Sequence, residues 1–205
     1  DLNLPIPEIE GGKPQALTAR PTPELEDYVK QLIDRAKRCR GEGGPRPDPK
    51  VDNMLKVTGD GRKAATDMRL IDPNFPDDPD SKINTVVNKA FDEWKSGKAD
   101  KLTQAIFLDN YQYLEEVGAI FDQEGEQTKK GKETALLNLY KDMADKLVKK
   151  GVPRSDIAII HDYDKQEQKT ELFRQMNAGE KGIPFGTTGK MGAGLTAQEA
   201  QKSRS

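Results

Sequence analysis

Three short apolar runs constrain the fold of the second half of this chain. They are "QAIFLD" at 104–109, "IAIIH" at 157–161 and "IPFGTT" at 183–188. Short apolar runs without polar alternation are typical of strands that are buried on both faces. Strands that alternate with helices form parallel sheets with right-handed crossovers. We therefore predict an α/β fold in which the three strands are parallel and the 104–108 strand lies between the other two.

Two helices are predicted between these strands. The sequence "DKQEQKTELFRQMNAGE" at 164–180 forms the second of them. The first spans 134–150, where Gly151 ends a run of apolar side chains at helical spacing. Those side chains are Leu136, Tyr140, Met143 and Leu147.

The first 100 residues differ from the rest and predict an N-terminal arm of helices and irregular segments. Residues 1–23 are rich in Pro and Gly, which indicates extended chain and turns. Helices are expected from Pro23 to Cys39 after a Thr22 cap, from about 60 to 70, and from a Ser81 cap to about Trp94. We therefore divide the chain into an arm at 1–100 and an α/β unit at 101–205.

The composition excludes several classes of protein. The single cysteine, Cys39, cannot form an internal disulfide, which fits a reducing compartment. No run approaches 18 apolar residues, so we expect no membrane partner and a cytoplasmic location. The net charge of −2 excludes a chain that is basic overall. The chain begins at Asp1 without a methionine, and we expect it to be a piece of a larger protein.

The glycine-rich stretch "GIPFGTTGKMGAG" at 182–194 raises the question of phosphate binding. A Walker-type loop is excluded because Pro184 stands at the first glycine position and Met191 follows the lysine. A dinucleotide fingerprint fits Gly192 and Gly194 formally, but it needs an acid about 20 residues later. A surface turn without a ligand is the third alternative.

The order of these pieces resembles the second RecA-like lobe of superfamily 2 helicases of the Swi/Snf branch. Strand "QAIFLD" corresponds to motif IV. The segment from Phe173 to Gly179 corresponds to the end of the helix before motif V, and Thr188 corresponds to the threonine at the end of the strand that leads into motif V. The block "DGRKAATDMRLIDP" and the loop "TTGKMGAG" are also similar to very large plasmid- and phage-encoded proteins that join an adenine-specific DNA methyltransferase to such a helicase. The resemblance covers roughly residues 10–195.

The resemblance implies an incomplete RecA-like lobe of an ATP-dependent DNA translocase. It implies DNA backbone contacts by Thr187, Thr188, Gly192 and Gly194, and nucleotide coupling by Gly189 and Lys190. It implies no catalytic residue and no metal ligand in this stretch. ATP and Mg²⁺ would be bound only by an intact parent protein that also carries the first RecA-like lobe, so we expect the chain alone to be inactive. The sequence departs from the family's pattern at Gly189 and Thr196, where Glu and Asn are expected, and motif VI is absent.

Other residues that could carry chemistry have simpler interpretations. His161, the only histidine, is expected to be a hydrogen-bonded structural residue and not a metal ligand. The acidic loop "DPNFPDDPD" lacks the spacing of a calcium loop and is expected to cap a helix. The basic "TKKGK" is expected to be a solvated loop, and Trp94 a core residue. The alternative function is that of a non-catalytic α/β module that binds protein partners.

Overall fold

The computed structural model describes residues 12–117, 120–121, 127–129 and 132–191. The helices are α1 (Pro23–Cys39), α2 (Met54–Thr66), α3 (Lys82–Gly97), α4 (Leu139–Lys149), α5 (Gln166–Asn177) and the single turn α6 (Thr188–Met191). The strands are β1 (Ile106–Phe107), β2 (Gln112–Val117), β3 (Ile120–Phe121), β4 (Gln127–Lys129), β5 (Lys132–Asn138), β6 (Ile157–Ile159) and β7 (Ile183–Gly186).

The helices of the arm begin at the caps that local sequence provides. The Thr22 side chain accepts a hydrogen bond from the backbone N–H of Leu25, and Ser81 caps α3 in the same way, so both predicted starts are confirmed. Helix α2 begins at Met54, earlier than the predicted 60, because the Asn53 side chain caps it. It ends at Thr66, and a short 3₁₀ turn occupies 68–70.

Strands β1, β7 and β6 form a parallel sheet in that order. The predicted parallel pairing is confirmed, but the prediction that the 104–108 strand is central is wrong, since β7 lies between the other two. All four residues of β7 are buried, whereas Phe107 of β1 is 51% exposed. A central strand covered on both faces requires such burial, and an edge strand does not.

The two connections between the parallel strands run across the sheet in opposite directions. It passes from β1 beyond β7 to β6 through α4, and returns to β7 through α5. Right-handed crossovers in opposite directions place their helices on opposite faces. Accordingly, α4 packs in one cluster with Ile157 and Ile159, whereas α5 packs in another with Ala158, which points to the other face of β6.

Two antiparallel strand pairs precede α4, and the sequence analysis did not predict them. Strand β5 pairs with β2, and β3 pairs with β4. The predicted helix from 134 therefore begins only at Leu139, and Leu136 belongs to a strand. Asn138 ends the strand and caps the helix, because its side chain accepts hydrogen bonds from the backbone N–H groups of Tyr140 and Lys141.

The main core joins the arm to the α/β unit. Its buried residues come from both sides of position 100, including Leu70, Ile83 and Val87 before it and Met143 and Leu147 after it. The side chains of α3 therefore cover one face of the sheet together with α4. A separate small cluster of Leu32, Cys39 and Val57 holds α1 against α2. No helix in the described part of the chain is long and apolar enough to cross a bilayer.

Candidate functional site

The carboxyl ends of the three parallel strands meet at one edge of the sheet. Asp109 follows β1, His161 follows β6, and Thr187 and Thr188 follow β7. The segment after β1 leads toward α4, whereas Met191 of the turn after β7 packs with α5 on the opposite face. Ligands of open α/β sheets bind where connections leave neighbouring strands toward opposite faces. The carboxyl end of the β1–β7 pair is therefore the candidate functional site.

Hydrogen bonds between Asp109 and Thr188 connect the segments that follow β1 and β7. The backbone N–H of Thr188 donates to Asp109 Oδ1 at 2.8 Å, and the Thr188 hydroxyl donates to Oδ2 at 3.1 Å. Both residues are exposed to solvent. The resemblance implies Thr188 as a DNA contact, and in this structure its two donors face a carboxylate of the same chain. Sequence reasoning did not select Asp109, although an acid directly after an apolar strand was a visible signal.

The rings of Tyr111, Tyr140 and His161 form a cluster near the carboxyl ends of β1 and β6. Tyr111 stacks on Tyr140 with a centroid distance of 4.5 Å, and His161 contacts both rings at 4.9 and 5.6 Å. The Tyr140 hydroxyl donates a hydrogen bond to the carbonyl of Leu108, the residue before Asp109. Burial raises the pKa of Tyr140 well above its usual value, and nearby Tyr111 and Asp109 raise it further. Tyr140 is therefore a permanent hydrogen-bond donor that fixes the end of β1.

The surroundings of His161 disfavour its charged form. Burial lowers its pKa, the positive charge of Lys190 lowers it further, and the negative charge of Asp162 opposes both. Its Nε2 atom is buried and has no hydrogen-bond partner within the described residues. The expected structural role agrees with its ring contacts, but the expected hydrogen bond is not seen at this nitrogen. Across the described ranges, no three His, Cys, Asp or Glu side chains are grouped so as to hold a metal ion.

The glycine-rich stretch divides into three parts. Gly186 lies under the turn α6, and a Cβ atom there would come within 2.7 Å of Ile160 Cγ2 and would also overlap the Met191 side chain. Gly189 lies within α6, and a Cβ atom there would meet nothing within 4 Å. Gly192 and Gly194 lie outside the described residues. Close backbone approach is therefore observed at Gly186, a position that sequence reasoning did not select.

The strand order also bears on the dinucleotide alternative. In the usual dinucleotide-binding order the second strand lies between the first and the third. Here the third strand of the parallel unit, β7, lies between the first and the second, β1 and β6. The observed order therefore does not favour a dinucleotide-binding interpretation of the loop.

The remaining residues of the turn are available to a ligand. Lys190 is exposed, and its backbone N–H donates to the Thr187 hydroxyl oxygen at 3.3 Å. Thr187 is partly buried, and its carbonyl accepts the N–H groups of Lys190 and Met191. The turn thus gathers Thr187, Thr188, Gly189 and Lys190 at the end of the central strand.

A groove of about 610 Å³ lies elsewhere, within the arm. Segment 17–25, the end of α2 and the loop at 75–82 line it. The acidic loop contributes Asp77 and Asp78, and Asp78 Oδ2 is buried without a hydrogen-bond partner in the described structure. This size is within the range of ligand pockets.

Comparisons of the chain with models of protein families, with curated proteins and with solved structures gave no match.

Proposed function

We propose that this chain contributes the second RecA-like lobe of an ATP-dependent DNA translocase of the Swi/Snf type. One observation carries the proposal: the turn from Thr187 to Lys190 lies at the carboxyl end of β7, the central parallel strand. The family resemblance of the same turn supports it. The chain would track the DNA strand and couple that contact to a first lobe.

The chemistry of the turn suits a DNA backbone. Hydroxyl groups of Thr187 and Thr188 can donate to phosphate oxygens, and the exposed ammonium group of Lys190 adds a favourable charge. Such contacts position the backbone without reading bases, which is what movement along any sequence requires. Gly192 and Gly194 would let backbone N–H groups approach the next phosphate.

ATP and Mg²⁺ would be bound only in the intact parent protein, which also carries the first lobe. The described residues include neither a Walker-type loop nor a group of carboxylates suited to Mg²⁺, so this chain does not fit the role of holding the nucleotide and its metal. No step of hydrolysis is therefore assigned to its residues. Lys190 and Gly189 would instead transmit closure of the two lobes.

Fluorescence anisotropy with a labelled single-stranded DNA oligonucleotide tests the proposal. Lys190→Ala should weaken binding about threefold to tenfold at low salt and reduce the salt dependence. Lys95→Ala is the matched control, because Lys95 is also exposed but lies at the end of α3, next to Trp94, whose indole N–H donates to Asp156 just before the start of β6. Equal effects of the two substitutions would contradict the proposal.

A second test uses a full-length parent protein. Gly192→Val or Gly194→Val should lower DNA-stimulated ATP hydrolysis about tenfold or more and leave basal nucleotide binding nearly unchanged. The chain alone should hydrolyse no ATP above background. Turnover by the isolated chain that disappears in Lys190→Ala would show that the loop has been misinterpreted.

The groove within the arm favours the second candidate, a non-catalytic module that binds a protein partner. NMR spectra of the amide groups separate the two functions. Shifts induced by DNA at 187–190 support the translocase lobe. Shifts induced by small-molecule fragments at the groove, lost in Ala65→Trp, together with no response to DNA, would support the binding module.

A further inference from the structure

We propose that Asp109 is an internal competitor for DNA phosphate, and that it must release Thr188 before the edge of the sheet can bind a strand. This inference rests on the proposed function and concerns the regulation of the same site. It assigns Asp109 the role of a latch whose charge and hydrogen bonds decide when Thr188 is available.

The geometry of the contact is that of an anion bound by two donors. Each oxygen of the Asp109 carboxylate accepts one hydrogen bond, at 2.8 Å from the Thr188 N–H and at 3.1 Å from its hydroxyl. A hydroxyl group has a single proton to donate. While Asp109 holds both donors, Thr188 has none left for a phosphate oxygen.

The charge of Asp109 also opposes a phosphate at this position. A phosphate that approached the Thr188 donors would stand within a few ångströms of the carboxylate, and like charges at that distance repel. Lys190 supplies a positive charge in the same turn. The edge therefore has an attractive and a repulsive group for DNA, and the balance depends on where the Asp109 side chain lies.

The surroundings of Asp109 allow its side chain to move without disturbing the fold. The backbone is held on both sides of it, because the Leu108 N–H donates to the Gly186 carbonyl and the Tyr111 carbonyl accepts the Leu139 N–H. The Asp109 side chain itself is exposed. Rotation of one side chain is then sufficient to open the latch, and the population of the open form scales the apparent affinity.

The test compares Asp109→Asn with Asp162→Asn in the full chain. Asp162 is the matched control, since it is an exposed acid at the same edge for which the structure shows no contact with Thr188. Affinity for a labelled single-stranded oligonucleotide is measured at low and at moderate salt, and melting temperatures verify that every variant folds. Asp109→Asn should bind about threefold to tenfold more tightly than wild type, and Asp162→Asn should gain much less. The gain from Asp109→Asn should shrink when Thr188→Val is added.

The possible results separate the latch from the proposed function. If the wild-type chain binds DNA and Asp109→Asn binds equally or more weakly, the latch is overturned while the translocase lobe stands. Equal gains from both asparagine variants also overturn it, because a general charge effect would then explain the change. If only Asp109→Asn binds DNA, both ideas gain support. If no variant binds DNA, both are overturned.

Discussion

Arg69 Nη2 donates a hydrogen bond to Asp142 Oδ2 at 3.0 Å, although the two residues are 73 positions apart in the chain. The Arg69 side chain also donates two hydrogen bonds to Asp67, and Lys146 pairs with Asp142 and with Asp77. This network connects the "DMRLIDP" segment of the arm to α4. It gives a structural role to two residues, Asp67 and Arg69, of the block "DGRKAATDMRLIDP".

Removal of Arg69 should destabilise the whole domain. Its side chain is only 9% exposed, and Arg69→Ala would leave the buried Asp67 carboxylate without its guanidinium partner, whereas Asp142 would keep its ion pair with Lys146. The free energy of unfolding, measured by chemical denaturation, should fall by about 3 kcal/mol or more. Arg62→Ala, at an exposed position on α2, is the control and should change it by less than about 0.5 kcal/mol. A loss below about 1 kcal/mol for Arg69→Ala would show that the network contributes little.

The same network predicts a loss of stability in acid. Burial disfavours the Asp77 carboxylate, but hydrogen bonds from Lys146 and Asn84 and the charge of Arg69 outweigh it, so its pKa lies below the usual value of 3.8. A carboxyl whose pKa is lowered by folding stabilises the protein above its unfolded pKa and loses that contribution as the pH falls through the folded value. The free energy of unfolding should therefore decrease below about pH 4. Asp77→Asn should flatten this part of the pH profile, and an unchanged profile would contradict the assignment.

The pKa of His161 reports on the charges near the carboxyl ends of the parallel strands, and it can be measured directly because His161 is the only histidine in the sequence. Its pKa, read from the NMR shift of the imidazole protons, should lie below 6.5. A histidine with a lowered pKa stabilises the folded state above its unfolded pKa, and that contribution is lost as the pH falls from about 6.5 to the folded value. Lys190→Met should raise this pKa, and Asp162→Asn should lower it. A pKa unaffected by Lys190→Met would show that Lys190 does not lie close to the ring in solution.

Two glycines of the same stretch should respond differently to alanine. Gly186→Ala forces a Cβ atom against Ile160 and Met191 and should reduce the free energy of unfolding by about 1–3 kcal/mol. Gly189→Ala meets no atom and lies in a helical turn, so stability should stay the same or rise by a few tenths of a kcal/mol. Met191→Ala added to Gly186→Ala should recover part of the loss. Equal costs for the two alanine variants, in thermal or denaturant melts, would contradict the packing described at Gly186.

Local sequence determined where several elements begin. Thr22 with Pro23 fixes the start of α1, and Ser81 fixes the start of α3, because a cap and the backbone N–H groups it satisfies lie within three residues of each other. The apolar runs at 157–161 and 183–188 predicted two strands of the parallel sheet for a similar reason. The burial of these two runs depends on their apolar residue types, which the sequence shows without any knowledge of the neighbouring strands.

Tertiary structure decided the strand order and the start of α4. Strand β7 is central, although its own residues do not determine the order of the strands. Residues 132–138 form a strand because β2 pairs with them. The two contacts that define the candidate site and the network, Asp109 with Thr188 and Arg69 with Asp142, join residues 79 and 73 positions apart. Hydrophobic spacing and caps act over one or two turns of chain, whereas these pairings depend on which distant segments the crossovers bring to the same edge or face.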